Sequence, residues 1–433
     1  MHFLSKPKSF STKVSSKLTS GLHPLKISDG FDIAVEVAVK RLEEIAEEIK
    51  FDKQNYTELV DAAKVSLGSK IVSKDQNRLA EIAVRSVLDV ADLERKDVNL
   101  DLIKIQEKTG GSIEDTQLIE GILIDKEFSH PQMPKVVIDA KIAILTCPFE
   151  APKPKTKHNL DITSAESFRK LYKLEQKYFT DMIEYLKKSG CNVALCQWGF
   201  EDEANHLLLQ NKLPAVRWVG GVDIELIAMA TGARIIPRFE EITAEKLGKA
   251  GRIREIQFGT GDEKMLVIEE CSNSKAVTIL VRGGSKMIVE EAKRSIHDAL
   301  CVVSTLIRCN KIVYGGGSAE IACSLAVQKY ADSIDTTEQY AIRGFADALE
   351  QIPMALAENA GMNALKSLST AKSLQTEKNN PFHGVDCIGL GVTNMKDQKV
   401  FETLLSKKGQ LQLATQVVKM ILKIDDVIEP SAQ

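Results

Sequence analysis

Apolar and polar positions along the 433-residue chain follow two rhythms in turn. Phe31, Val35, Ala38, Leu42, Ile45 and Ile49 recur roughly every 3.5 residues, the spacing that gathers side chains on one face of a helix. A helix over Phe31–Lys50 is therefore expected, with Asp29 as its N-cap. Further helical patterns with wide polar faces cover about 56–66 and 75–93. Between about 102 and 283 the pattern changes to short β-branched runs: "DLIKI", "GILID", "AKIAILTC", "NVALCQW", "AVRWV", "REIQF", "KMLVIEEC" and "AVTILVRGG". Helical stretches at about 163–188, 201–211 and 223–230 interleave with them, which predicts an α/β domain. After Gly284 the helical rhythm returns, so the α/β block reads as an insertion whose flanks fold together.

Within the insertion, Thr163 and Glu166 form a T-x-x-E capping box and Gly190 sits where a C-terminal cap belongs. Upstream, "EAPKPKTKHNLD" has prolines and lysines that oppose regular structure, and an exposed arm is expected. On the helix of 201–212, Ala204, Leu207, Leu208 and Asn211 share one face, leaving Asp202, Asn205, His206, Leu209 and Lys212 on another. That mixed face is either a recognition surface or an ordinary solvated one.

Two places carry candidate chemistry. In "MIVEEAKRSIHDALCVVSTLIRC" the apolar stripe is Ile288, Ala292, Ile296, Ala299, Val303 and Leu306, with Glu291, Arg294, Ser295, Asp298 and Thr305 opposite. Asp298 thus points away from its helix's own core; it serves either in an i,i+4 pair with Arg294 or as a functional carboxylate. His297 lies about 100° around the helix, so adjacency makes no dyad. In "NKIVYGGGSAEIA" three glycines follow an apolar run and precede a helix, an arrangement that either cradles a phosphate or only reverses the chain. Neither G-x-x-x-x-G-K-[ST] nor G-x-G-x-x-G is present.

Composition narrows the class. A chain 44% hydrophobic and 27% charged can bury ordinary globular cores, and a net charge of -3 gives no bulk attraction for nucleic acid. No apolar run approaches the roughly 20 residues needed to span a bilayer. The eight cysteines are scattered without a C-x-x-C pair, and no histidines stand at metal spacing; they read as buried thiols in a reducing compartment, with no metal site expected. The first 28 residues are rich in Lys and Ser and lack both acids and arginine, which favours an irregular N-terminus over an organellar address.

Five ordered stretches, "DKEFSHPQMPK", "RSIHDALCVV", "YGGGSAE", "NPFHGVDC" and "ILKIDDVIEP", resemble the group II chaperonins of the TCP-1/cpn60 family, from about Gly21 to Pro430. "CQWGFEDEANHLLLQN" and "LPAVRWVGG" come nearest to one subunit type of the eukaryotic cytosolic chaperonin. The resemblance implies a multidomain α/β chaperonin-like fold. Its parts would be an irregular N-terminus at 1–20, an incomplete helical equatorial domain at 21–50 and 310–433, and a hinge-like intermediate domain at 51–111 and 285–309. An α/β apical domain with a helical protrusion would occupy 112–284.

The implied function is that of a chaperone subunit assisting ATP-dependent folding in a hetero-oligomeric double ring in the cytoplasm. Its partners would be other chaperonin subunits and unfolded clients, not nucleic acid or membrane, and its cofactor ATP with Mg2+. By family correspondence, Gly315, Gly316 and Gly317 meet the adenosine part of ATP, and Asp386, Glu402 and Lys407 fall in segments lining its base and ribose. Asp298 corresponds to the carboxylate that orients the attacking water, and Asp202, Asn205, His206 and Leu209 to a client-binding face.

The family's "LGPxGxDK" loop and "GDGTT" motif, which hold the phosphates and magnesium, occur nowhere in the sequence; about a hundred N-terminal residues of the family pattern are missing from it. Hydrolysis of ATP by this chain is therefore left open. The apolar faces of Phe31–Lys50 and of "ATQVVKMILKI" are expected to be uncovered. Two alternatives follow: a truncated relative that holds unfolded protein or chaperonin subunits without hydrolysis, and a chain that does not assemble.

Overall fold

The computed structural model describes residues 21–151, 164–257, 264–272, 276–389, 393–424 and 426. The chain divides into two compact units. A terminal unit comprises the residues up to Val84, Asp92–Val98 and the chain from Ser295 onward; an inserted unit comprises Arg85–Ala91 and Asn99–Arg294. The segments 51–111 and 285–309 are each divided between them.

In chain order the first elements are α1 (Pro24–Ile45), β1 (Glu47–Glu48), α2 (Thr57–Leu67), α3 (Gln76–Val90), β2 (Ile103–Thr109), β3 (Gln117–Ile119), β4 (Gly121–Ile124) and β5 (Val136–Leu145). There follow α4 (Ala165–Ser189), β6 (Val193–Cys196), α5 (Asp202–Gln210), β7 (Ala215–Val216), α6 (Gly221–Thr231), β8 (Ile235–Ile236), β9 (Gly248–Gln257), β10 (Lys264–Cys271) and β11 (Val277–Gly283). The last are α7 (Lys286–Arg308), β12 (Lys311–Tyr314), α8 (Ser318–Ala331), α9 (Glu338–Asn359), α10 (Ala364–Glu377), β13 (Phe401–Thr403) and α11 (Leu404–Leu422).

The terminal unit is a helical core closed by a small sheet, β1-β12-β13. The stripe Ile27, Phe31, Ala34, Ala38 and Leu42 of α1 packs with residues of α8, α9 and α11 in one cluster, joining segments far apart in sequence. Phe31 meets Phe345 edge to face, with ring centroids 5.5 Å apart. A Cβ on Gly30 would lie 2.6 Å from Ala341 Cβ, so glycine permits the close approach of α1 and α9. The helix starts earlier than its periodicity predicts: Pro24 occupies the first turn and His23 caps it by accepting from the Leu25 amide, which leaves Asp29 inside the helix. It also ends earlier, because Glu47 and Glu48 pair with Ile312 and Lys311.

The expected uncovered faces divide. That of α1 is buried, with Phe31, Ala38 and Leu42 almost fully enclosed, whereas Leu413, Val417, Met420, Ile421 and Ile424 are 44–70% exposed along and just beyond α11.

The inserted unit holds a sheet of order β4-β10-β9-β5-β6-β7, with β8 also on β5, and a second sheet, β2-β11-β3. Strands β6 and β8 run parallel to β5, and β7 runs parallel to β6; β9 is antiparallel to β5 and β10. Phe149 sits at the centre of an aromatic cluster, 4.9 Å from Phe200 and 4.6 Å from Phe239. Helix α4 covers the sheet with Phe179, Met182, Ile183 and Leu186. Thr163 lies outside the described residues, as does most of the proline and lysine arm; the helix is capped by Ser164, whose hydroxyl accepts from the Ser167 amide, and it ends at left-handed Gly190.

All eight cysteines are free thiols. Among the described residues no helix is long and apolar enough to cross a membrane.

Candidate functional site

The apolar strand β12 delivers the chain to the three glycines. The Gly315 amide donates to the Val400 carbonyl at 3.0 Å, so this residue closes the strand. Gly316 and Gly317 take φ of +63° and +77°, a region that costs side-chain-bearing residues about 1–2 kcal/mol each. Packing adds to that demand: a Cβ on Gly316 would collide with Met395 Sδ, and one on Gly317 would lie 2.8 Å from Pro353 Cβ. The Gly316 carbonyl accepts from the Val385 amide at 2.9 Å, which ties the turn to the segment 380–387. Gln375 holds the other side of that segment, its amide donating to the carbonyls of Ser318, Pro381 and His383 at 3.1, 3.3 and 2.7 Å.

Beside the turn opens a cleft of about 520 Å³ within the terminal unit. Its apolar wall includes Ile352, Val385, Met395 and Val400, and its polar end brings together Glu320, Glu402 and Lys407. Lys407 and Glu320 have side chains only 4% and 3% exposed, and Nζ lies 2.7 Å from Glu320 Oε1. Glu402, 31% exposed, also pairs with Lys407. Burial alone would lower the Lys407 pKa; the charges of Glu320 and Glu402, and hydrogen bonds to them, outweigh it and hold the ammonium well above its ordinary range. The result is a cation neutralised from two sides, with Glu402 the more open carboxylate. Such an end can accept hydrogen bonds from hydroxyl groups while the apolar wall takes a planar ring.

Of the residues singled out in the sequence, Gly316, Gly317, Glu402 and Lys407 line this one cleft. Asp386 is not among the lining residues, although Val385, Cys387 and Ile388 are; its carboxylate accepts from the amides of Ile388 and Gly389 at 3.2 and 3.1 Å. Glu320 was missed. The available signal was an acid in the first turn of the helix after the glycines, which reads equally well as a charge placed at a helix N-terminus.

Asp298 is not a lining residue of the cleft either, though Val302, one turn along α7, is. Its carboxylate, 51% exposed, meets Lys70 Nζ at 2.7 Å. The alternative pairing with Arg294 is not what forms, because Arg294 reaches back to Glu291 at 3.2 Å. Ser295 also departs from the expected outer face: it is fully buried, since the helix packs on more than its apolar stripe.

In the inserted unit, α5 buries Ala204 and Leu208 and turns Asp202 and His206 outward. Asn205 is committed within the fold, accepting from Ser129 Oγ at 2.8 Å and donating to the Ser129 carbonyl at 3.3 Å. Leu209 is half-buried against the core, and His206 Nε2 lies 2.9 Å from Gln210 Nε2. Of Asp202, Asn205, His206 and Leu209, the outermost are therefore Asp202 and His206.

Comparison with known proteins places these features in a family. The model of the TCP-1/cpn60 chaperonin family matches residues 12–432. T-complex protein 1 subunit epsilon of Encephalitozoon cuniculi is 51% identical over 411 residues, spanning 95% of this chain and 76% of that protein. A thermosome subunit of Methanothermococcus thermolithotrophicus is 39% identical over 416 residues, or 96% and 76% of the two chains. The open-state monomer of a group II chaperonin from Methanococcoides burtonii superposes with a TM-score of 0.73 at 34% identity, covering 98% of each chain.

Proposed function

The chain belongs to the TCP-1/cpn60 chaperonin family, and on that premise we propose that it works as an epsilon-type subunit of a hetero-oligomeric double ring in the cytoplasm. Its role is that of a chaperonin subunit in protein folding. In this reading 21–50 and 310–433 are equatorial, 51–111 and 285–309 intermediate, and 112–284 apical. The cleft beside the glycine turn takes the adenosine part of ATP, with Glu402 accepting from ribose hydroxyls and the apolar wall meeting the base. Gly315 and Asp386 shape the backbone around it. Magnesium and the phosphates belong to the same ligand, and Asp298 orients the water that attacks the γ-phosphate. The face of Asp202, Asn205, His206 and Leu209 meets unfolded clients, with Asp202 and His206 foremost.

The observation that carries the nucleotide reading is the convergence of Gly316, Gly317, Glu402 and Lys407 on one cleft of about 520 Å³, a volume within the range of small-molecule sites. Equilibrium dialysis of the purified chain against labelled ATP with Mg2+ tests it. Saturable binding that is lost in Gly316→Val is expected, provided the variant keeps its unfolding midpoint to within the strain of one residue. No binding under conditions where a complete family member binds would overturn it.

A further inference from the structure

The parallel part of the sheet in the inserted unit reverses direction at one strand. From β5 the chain passes through α4 to the adjacent β6 and through α5 to β7; α6 then carries it back to the far edge of β5, where Ile235 and Ile236 of β8 pair with Ile144 and Leu145. The local order is thus β8-β5-β6-β7. Right-handed crossovers leading in opposite directions lie on opposite faces of a sheet, so a crevice opens beyond the carboxyl ends of β5 and β8. Open α/β sheets bind ligands at such points.

A cavity of about 610 Å³ occupies this position, lined by residues that follow β5, residues that follow β8, and one face of α4. Its charged groups and tyrosines are Glu150, Tyr178, Asp181, Tyr185, Arg238 and Glu240. Both tyrosines are 38% exposed, so the crevice is reachable from solvent. Among the described lining residues three carboxylates stand with one guanidinium, which disfavours an anion. Among the described residues, Asp181, Glu240 and Arg238 form no ion pair and no side-chain hydrogen bond, and Arg238 and Glu240 are exposed, so these charges meet water rather than a described partner. Aromatic faces beside carboxylates attract a cation that carries an apolar stem. The lone guanidinium needs an acceptor that is not a strong anion, and a peptide carbonyl meets that need.

We propose that this crevice binds a lysine or arginine side chain of an extended polypeptide, its charge between Asp181 and Glu240 beside the tyrosine rings, with Arg238 donating to a main-chain carbonyl of the same segment. The site is separate from the α5 face and does not depend on how that face is used.

The test uses the full chain at low salt and a short fluorescent glycine and serine peptide with one central arginine, followed by anisotropy. Versions with lysine, citrulline or glutamate at the centre report on charge. The arginine and lysine peptides should bind at least about tenfold more tightly than the other two, and the preference should weaken as salt rises. Asp181→Asn with Glu240→Gln should weaken the arginine peptide by a similar factor while the circular dichroism and melting curve stay unchanged. Arg238→Gln should weaken all peptides together and keep their ranking. Equal binding of the arginine and citrulline peptides, absence of binding, or full binding by the double variant would each overturn the assignment. So would a loss that follows Asp202→Asn instead, since the cation would then be held on α5.

Discussion

The two cavities handle charge in opposite ways. In the terminal unit, Lys407 is enclosed and neutralised by Glu320 and Glu402, so the protein itself satisfies the cation and presents a fixed surface. In the inserted unit, Asp181, Glu240 and Arg238 line the crevice without ion pairs among the described residues. A buried cation must be matched within the fold because its desolvation is costly; charges at an open rim stay hydrated until a ligand replaces the water. The first arrangement therefore contributes to stability and orientation, and the second is available for binding. Substitutions in the first should show in unfolding, and substitutions in the second mainly in ligand affinity.

The largest effect should come from Lys407→Ala, which leaves Glu320 buried beside a second carboxylate. Breaking a buried pair from one side typically costs about 3–5 kcal/mol, read from the urea midpoint of the terminal unit. Lys407→Met combined with Glu320→Leu should recover most of the loss. Asp181→Asn in the crevice should move the urea midpoint of its own, inserted unit by less than about 0.5 kcal/mol. A comparable loss from both would erase the contrast.

Next in size is Gly316→Ala, which meets backbone strain of about 1–2 kcal/mol in addition to the contact with Met395. Gly316→Ala with Met395→Ala should relieve the contact and keep the strain, so the double variant separates the two causes by calorimetry.

Acid should distinguish the units through Glu269. Burial alone would raise its pKa, but hydrogen bonds from Arg254 and Arg252, and then their charges, hold it below its ordinary 4.5. A depressed carboxylate contributes stability that is complete above the unfolded value and is lost as pH falls through the folded one. Glu269→Gln should thus lower the stability of the inserted unit near neutrality and flatten its decline below about pH 4.5, followed by acid titration of a near-ultraviolet signal. An unchanged acid slope would remove Glu269 from the account.

Among the substitutions of paired groups, the smallest stability effect should belong to Asp298→Ala. The Lys70 pair is substantially exposed, and such pairs contribute under about 1 kcal/mol. In an assembled ring that hydrolyses ATP, the same change should spare ATP binding and lower turnover on the order of 10²-fold. Equal turnover by both proteins would end the water-orienting role.

Periodicity alone identified α1, the interleaved strands and helices of the insertion, and the helical return after Gly284, because alternation at two residues or near 3.6 is a local property of the chain. The capping glycine of α4 was legible for the same reason: a left-handed residue after a long helix depends on its own backbone. Family-like words marked the cleft residues and Asp298, yet words do not carry distances. The pairing of Asp298 with Lys70, distant in sequence, the commitment of Asn205 to Ser129, and the enclosure of Lys407 by Glu320 all join residues far apart along the chain. The crevice beyond β5 and β8 was invisible for a further reason. Its groups are unremarkable one by one, and only the return of the chain to the far edge of β5 sets three carboxylates, two tyrosines and an arginine around one space. Local sequence determined which segments are helix or strand and where their apolar stripes lie; long-range packing decided which of those stripes are covered and which charges are paired inside the fold.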